Sequence, residues 1–273
     1  MNKVDFIKKT LLETKEIFNE AKNISESGLA IEKKKTFKDL VTKYDQLIEE
    51  FITNKIIKQY PNENIIGEES YSKSGSNSLN WKTNDIDNCW LIDPIDGTTN
   101  FTHQFPYFCS TIAYAEKEKD QWVVKQAGTF DPNKNELFWA AKNQGAWLNN
   151  FKLKIKAPNQ FSESLLCTGF AIDRHANKDK IEQAFNTFKN LTTITHGVRR
   201  SGAAALDIAY VASGRLNGFW EGGLSPWDIA AGSLLVTEAG GKIYSASKGQ
   251  FNLFDGSIIC GPSLVTNKLI ELI

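Results

Sequence analysis

The segment Trp90-Leu-Ile-Asp-Pro-Ile-Asp-Gly-Thr-Thr-Asn-Phe101 places two carboxylates three residues apart across a proline. The apolar run Trp90–Ile92 reads as a buried strand, and a buried strand has no use for an Asp at its end. Pro94 fixes its own φ and disfavours helix at Asp93. The chain is therefore expected to leave the strand in a rigid extended turn, with Asp93 and Asp96 free to converge. Gly97 permits a sharp bend. Thr98-Thr99-Asn100 can then open a helix whose outward N–H groups attract phosphate oxygens. Two hard oxygen ligands beside an anion cradle suit Mg²⁺, which divides its coordination between a few carboxylates and a substrate phosphate. Taken alone, the Asp-x-x-Asp spacing also fits a turn whose Asp residues cap a helix.

Two further acidic segments alter that weighting. Ile65-Ile-Gly-Glu-Glu69 repeats the order of apolar strand, glycine and carboxylates. Pro226-Trp-Asp-Ile-Ala-Ala-Gly232 puts Asp228 at the head of an expected helix, where by itself it would be read as an N-cap. Three acidic turns, each following an apolar strand or opening a helix, fit a polynuclear metal site better than three unrelated caps.

The elements that must position these groups are legible in outline. Val4, Ile7, Leu11, Phe18 and Ala21 share one helical face, which predicts an amphipathic helix ending before Gly28. Leu40, Tyr44, Leu47, Phe51 and Ile52 mark a second helix stopped near Pro61. Residues 64–70 read as a short strand running into a turn. Residues 71–88, rich in Ser, Asn and Asp, read as an exposed loop. Thr111–Glu116, Trp122–Phe130, Glu136–Ala141 and Gly145–Leu148 predict an antiparallel meander. Leu165–Phe170, Ile194–Val198 and Asn217–Glu221 read as further strands. Ser201–Ser213 and Trp227–Ala239 read as helices. Such irregular alternation around an antiparallel middle predicts stacked α and β layers.

Bulk composition excludes several classes. The 273 residues carry 32 Lys plus Arg against 32 Asp plus Glu, so no overall field draws the chain to nucleic acid or an anionic membrane. Hydrophobic residues at 41% and charged residues at 23% are ordinary for a globular chain. Cys89, Cys109, Cys167 and Cys260 form no close pair, which points to free thiols in a reducing compartment. There is no apolar run of signal-peptide or membrane-spanning length, and the expected location is the cytoplasm.

Together the blocks GEES at 67–70, WLIDPIDGTTNF at 90–101, WEGGLSPWDIAAG at 220–232 and EAGG at 238–241 resemble the inositol monophosphatase family. DLVTKYDQ at 39–46 matches as well, and RRSGAAALDIAYVASGRLNGFWE at 199–221 resembles the bacterial branch. The resemblance implies an αβαβα sandwich of the inositol monophosphatase and fructose-1,6-bisphosphatase type. It is expected as one phosphatase-fold unit over residues 1–273, with an N-terminal α+β half to about 148 and a C-terminal α/β half from about 149. A homodimer is expected.

By position, the resemblance implies that Glu68, Asp93 and the Ile95 carbonyl bind a first Mg²⁺. Asp93, Asp96 and Asp228 would bind a second, and Glu68 would contribute again to a weaker third. Mn²⁺ is the expected substitute, and Li⁺ and Ca²⁺ the expected inhibitors. Thr98, paired with Asp45, would orient the attacking water together with Glu68. The N–H groups of Gly97 and Thr98 would hold phosphate. Asp96, Glu221 and the backbone of Gly202 and Ala204 would face the alcohol. Lys34 would lie on a mobile loop near the metals, although the Lys33–Lys35 run also reads as a solvated loop. His103, His175 and His196 need no catalytic role.

The implied activity is Mg²⁺-dependent hydrolysis of a small polyol monophosphate, inositol monophosphate first, by water and without a covalent intermediate. Thr99-Asn100 after Asp-Gly-Thr favours this over phosphoadenosine phosphate. Arg199 and Arg200 keep a second phosphate open, as in fructose-1,6-bisphosphate or NADP, against a structural or interface ion pair. The segment Ala171–Lys180 is not readable by motif. The other reading is a phosphatase fold that binds a protein of the transcription machinery; direct nucleic-acid binding is not expected.

Overall fold

A computed structural model describes residues 1–23, 31–33, 40–74, 86–119, 121–170, 178–246 and 249–273. The first helix, α1 (Lys3–Asn23), buries Val4, Ile7, Leu11, Phe18 and Ala21, the stripe expected from its period. A short strand pair follows, β1 (Ile31–Lys33) antiparallel to β2 (Leu40–Thr42). Leu40 therefore belongs to a strand and not to the second helix; Val41 and Thr42 are β-branched and suit that pairing. Helix α2 (Lys43–Gln59) buries Tyr44, Ile48, Ile52 and Ile56, one residue per turn. Leu47 lies off that stripe and is 42% exposed.

Strand β3 (Ile65–Gly67) runs into helix α3 (Glu68–Ser74), where a turn was expected. Both Glu49 oxygens accept N–H groups at that helix start, from Glu69 at 2.7 Å and Ser70 at 2.8 Å. A cap supplied from α2 is thus what makes the segment helical. Of the expected 71–88 loop, residues 71–74 continue this helix and Asn88 opens the next strand, while residues 75–85 lie outside the described residues.

Strand β4 (Asn88–Asp96) extends past Ile92 through both aspartates. Its pairing with β5 (Cys109–Glu118) shifts register between Asp93 and Asp96. Pro94 has no N–H to give the ladder, so the irregularity falls where a donor is missing. Helix α4 (Thr98–Thr102) follows. The meander continues through β6 (Gln121–Asp131), β7 (Glu136–Ala141), β8 (Gly145–Leu148) and β9 (Phe151–Lys152). The result is a seven-stranded sheet ordered β3-β4-β5-β6-β7-β8-β9, antiparallel except for β3 with β4.

A second sheet holds β10 (Leu165–Thr168), β11 (Gly197–Arg199), β12 (Gly218–Gly222), β13 (Lys242–Tyr244) and β14 (Ser257–Gly261), ordered β11-β10-β12-β14-β13. Its helices are α5 (Lys178–Ile194), α6 (Ala204–Ala212), α7 (Pro226–Glu238) and α8 (Ser263–Leu272). Ile194 closes α5 instead of opening a strand; the strand starts at Gly197.

Three apolar clusters define the layers. Helices α1 and α2 cover one face of the large sheet, packing Leu11, Tyr44 and Ile52 on Trp90, Ile92 and Phe130. Helices α6 and α7 lie between the sheets, joining Leu91, Ala127 and Phe138 to Phe219, Ile258 and Cys260. Helix α7 is apolar nearly all round, as a helix covered on both sides must be. Leu191 of α5 and Val265 and Leu269 of α8 close the far face against Leu166, Trp220 and Ile259. The order is the expected αβαβα sandwich. All four cysteines are buried free thiols. Among the described residues no helix is long and apolar enough to cross a membrane.

Candidate metal and phosphate site

The end of β4 faces the N-termini of α6 and α7, and the carboxylates gather there. Asp93 is 1% exposed, and its carboxyl is raised well above the ordinary range. Burial is the largest cause; repulsion from Glu68, Asp96 and Asp228 adds to it. The four acids of three separate segments are therefore neighbours. Asp93 Oδ1 is buried and has no hydrogen-bond partner among the described residues.

Asp96 differs in its surroundings. Its Oδ2 accepts the Ala205 N–H at 2.8 Å and the Leu206 N–H at 3.4 Å, and its Oδ1 accepts the Ala204 N–H at 3.2 Å. These are orphan donors at the start of α6, which favour a negative charge. The Cys109 thiol lies 3.7 Å from Oδ2. Burial raises the Asp96 carboxyl to about 6 while those donors oppose the shift. Asp228 stands at the third position of α7 in a capping box with Ser225, whose N–H it accepts at 2.7 Å. Burial, then Asp96, push it to about 8.

Thr98 connects the cluster to α2. Its hydroxyl lies 3.1 Å from Asp45 Oδ1 and 3.0 Å from the Ile95 carbonyl. Asp45 is wholly buried. Gly97 turns the chain at φ 91°. A Cβ there would also crowd Ala203 Cβ and the carbonyls of Tyr107 and Gly202, so the position needs glycine twice over. Helix α3 brings in Glu68, which is partly exposed, by way of the Glu49 cap.

On the far wall Glu221, next to last in β12, is 9% exposed, with Gly169 leaving room for its carboxylate. Burial raises it to about 8, the charge of Arg200 opposing and Asp207 and Asp96 adding. The turn Gly202–Ala204 lies against Gly97 and Asn100. The structure thus brings Asp45, Glu68, Asp93, Ile95, Asp96, Gly97, Thr98, Gly202, Ala204, Glu221 and Asp228 to one seam between the sheets. Lys34 lies outside the described residues, as does His175; His103 and His196 are exposed. Glu49, Tyr107, Cys109 and Asp207 were not foreseen. Glu49 had a signal, one turn after Asp45 on the same helix; the others become visible only once packing buries them.

The donor chemistry fits divalent cations. Like charges held together in a buried place need a compensating cation or protons, and Asp93 Oδ1 is buried with no donor among the described residues. Among the described residues no three His, Cys, Asp or Glu side chains stand together in a way that would hold a metal ion by themselves. Mg²⁺ does not demand such a set, since it keeps waters and takes one or two carboxylates with a substrate phosphate.

A sequence model of the inositol monophosphatase family matches residues 3–273. An inositol monophosphatase of Dictyostelium discoideum is 40% identical over 237 residues, 86% of this chain and 82% of its own. A Pseudomonas aeruginosa protein named Nus factor SuhB is 39% identical over 239 residues, 88% of this chain and 84% of its own. The solved inositol monophosphatase of Anabaena superposes with a TM-score of 0.81 at 33% identity, covering 98% of this chain and 94% of that one. The chain belongs to the inositol monophosphatase family and is by that membership a phosphoric monoester hydrolase.

Proposed function

We propose that the chain hydrolyses a small polyol phosphate monoester, inositol monophosphate first among them, in a Mg²⁺-dependent reaction with water as nucleophile. One observation carries this reading: the buried Asp93 Oδ1, without a hydrogen-bond partner among the described residues, near enough to Glu68, Asp96 and Asp228 to feel their charges. Glu68, Asp93, Asp96, Asp228 and the Ile95 carbonyl would hold the cations. Bound there, Mg²⁺ would neutralise phosphate charge and acidify a coordinated water.

The chain's own groups do the rest. Asp45 fixes the rotamer of Thr98, so the Thr98 hydroxyl and Glu68 can orient water toward phosphorus. The N–H groups of Gly97 and Thr98, at the start of α4, cradle the phosphoryl oxygens. The Asp96 carboxylate is held by three N–H groups of α6 and would offer its remaining lone pairs to a cation and to the alcohol. Glu221 and the backbone of Gly202 and Ala204 accept and donate to alcohol hydroxyls. A neutral polyol suits a carboxylate-bearing wall better than a second phosphate does, although Arg200 leaves that alternative to be tested.

Hydrolysis of inositol 1-phosphate, glycerol 2-phosphate, fructose 1,6-bisphosphate, phosphoadenosine phosphate and NADP, each measured as kcat/KM with and without Mg²⁺, tests the reading. Highest kcat/KM for a polyol monophosphate, lost with EDTA, is expected. Metal-independent turnover, or preference for a bisphosphate, would overturn it.

The likeness to a Nus factor supports a second reading, in which the same fold also binds a protein of the transcription machinery. Asp93→Asn separates the two: hydrolysis is lost while partner binding persists. A homodimer is part of the proposal, and sedimentation equilibrium decides it.

A further inference from the structure

One buried carboxylate outside the acidic ring ties together three distant stretches of chain. Asp207, in the first turn of α6, is 1% exposed and accepts the Tyr107 hydroxyl at 2.6 Å. The Cys167 thiol of β10 and the Ser201 hydroxyl lie close enough to offset part of the cost of its burial. Cys167 Sγ and Ser201 Oγ lie 3.5 Å apart. On the other side, Asn100 Nδ2 donates to the carbonyls of Tyr107 at 2.7 Å and Ser201 at 2.9 Å. The turn 201–204 is therefore gripped at both ends, by Asn100 at Ser201 and by Tyr107 through Asp207 one helical turn later.

Between those grips stand the groups that face the site. Gly202 bends the chain at φ 89°. Ala204, Ala205 and Leu206 present the N–H groups that Asp96 accepts. Burying a carboxylate is costly, and the hydrolysis described above makes no use of Asp207. An apolar residue would fill the same space at less expense, yet would leave the Tyr107 hydroxyl buried and unpaired.

We propose that Tyr107 and Asp207 are positioning residues, a clamp that fixes the turn Ser201–Ala204 for recognition of the substrate's hydroxyl-bearing alcohol. The proposal rests on the phosphatase reading given above. An ester whose leaving group carries no such hydroxyls should scarcely sense the clamp.

The test compares inositol 1-phosphate with p-nitrophenyl phosphate, in wild-type protein, Tyr107→Phe and Asp207→Asn. Amide hydrogen exchange over 201–206 is measured alongside. Tyr107→Phe keeps the ring packing and loses only the hydroxyl. It should raise KM for inositol 1-phosphate about ten-fold, with kcat and both constants for p-nitrophenyl phosphate within about two-fold. Exchange over 201–206 should quicken by about ten-fold. Asp207→Asn keeps an acceptor for the Tyr107 hydroxyl and should retain most of the selectivity. Unchanged exchange in Tyr107→Phe, or a loss common to both esters, overturns the clamp. Wild-type protein inactive on both esters with Mg²⁺ overturns the phosphatase reading instead, and the exchange result then decides the clamp by itself.

Discussion

Thr98 and Asp45, 53 residues apart in sequence, meet at 3.1 Å between the hydroxyl and Oδ1. Helix α2 lies on the outer face of the large sheet, and this bond is its reach into the seam where the acids gather. Both neighbours of the hydroxyl, the Asp45 carboxyl and the Ile95 carbonyl, are acceptors, so they take its one proton and leave its two lone pairs for a donor such as water. Thr98→Val removes the hydroxyl at nearly constant volume. A fall in kcat of about 10²-fold is expected, within the range for a lost water-orienting or proton-handling group. KM should change little and the melting temperature by a few degrees at most. Thr98→Ser should restore much of kcat; steady-state kinetics of the three proteins decide the matter.

Asp93→Asn should lower kcat/KM by at least about 10³-fold, since several kcal/mol of charge stabilisation depend on the ligand set. Its effect on stability runs the other way. Removing one of four repelling carboxyls should raise the melting temperature in EDTA, while Mg²⁺ should cease to raise it further. Calorimetric scans with EDTA and with Mg²⁺ check both signs. A variant that is less stable in EDTA yet still responds to Mg²⁺ would contradict a ligand role.

Glu221 gives a pH dependence with a defined sign. Burial raises its folded-state value from the ordinary 4.5 to about 8. The folded chain then holds this proton more tightly than the unfolded chain does. Its contribution to stability is full below about pH 4.5 and is lost as pH rises through about 8. In EDTA, the wild-type melting temperature should fall over that window more steeply than that of Glu221→Gln. Equal slopes would mean that Glu221 is solvated.

Glu49→Ala removes the cap that α2 provides for α3. Two backbone N–H groups lose charged acceptors, at a cost of about 1–3 kcal/mol. Because Glu68 is the first residue of α3, the Mg²⁺ concentration giving half-maximal activity should rise several-fold. Glu49→Gln retains one strong acceptor and should fall between the two. A stability loss without any change in Mg²⁺ demand would confine Glu49 to the fold.

What the sequence discloses divides by the range of the interaction. Asp93, Asp96 and Gly97 are neighbours in one segment, so their convergence follows from Pro94 and a glycine that local rules can read. The periods of α1 and of the meander are likewise local. The bond from Asp45 to Thr98 enters by resemblance, because no spacing predicts contact across 53 residues. Glu68 was expected in a turn because the group that makes the segment helical sits on another helix. Leu40 was assigned to a helix because an apolar period does not record the partner strand 31–33. Helix α5 went unread although Ile181, Phe185, Phe188 and Leu191 stand at helical spacing; only Ile194–Val198 was read, as a strand, because β-branched Ile194 and Val198 have strand propensity. Tyr107 and Asp207 escape a linear reading altogether, since neither the hydroxyl nor the carboxylate is unusual until packing takes both from water.

The connection between β9 and β10, residues 153–164, is the only passage of chain from one sheet to the other among the described residues. Everything before it carries Glu68, Asp93 and Asp96; everything after it carries Asp228 and Glu221. A nick in that span yields two polypeptides, neither owning the whole of the proposed reaction centre. Turnover by a mixture of the pieces would then report their reunion directly, making this enzyme its own reporter for fragment complementation.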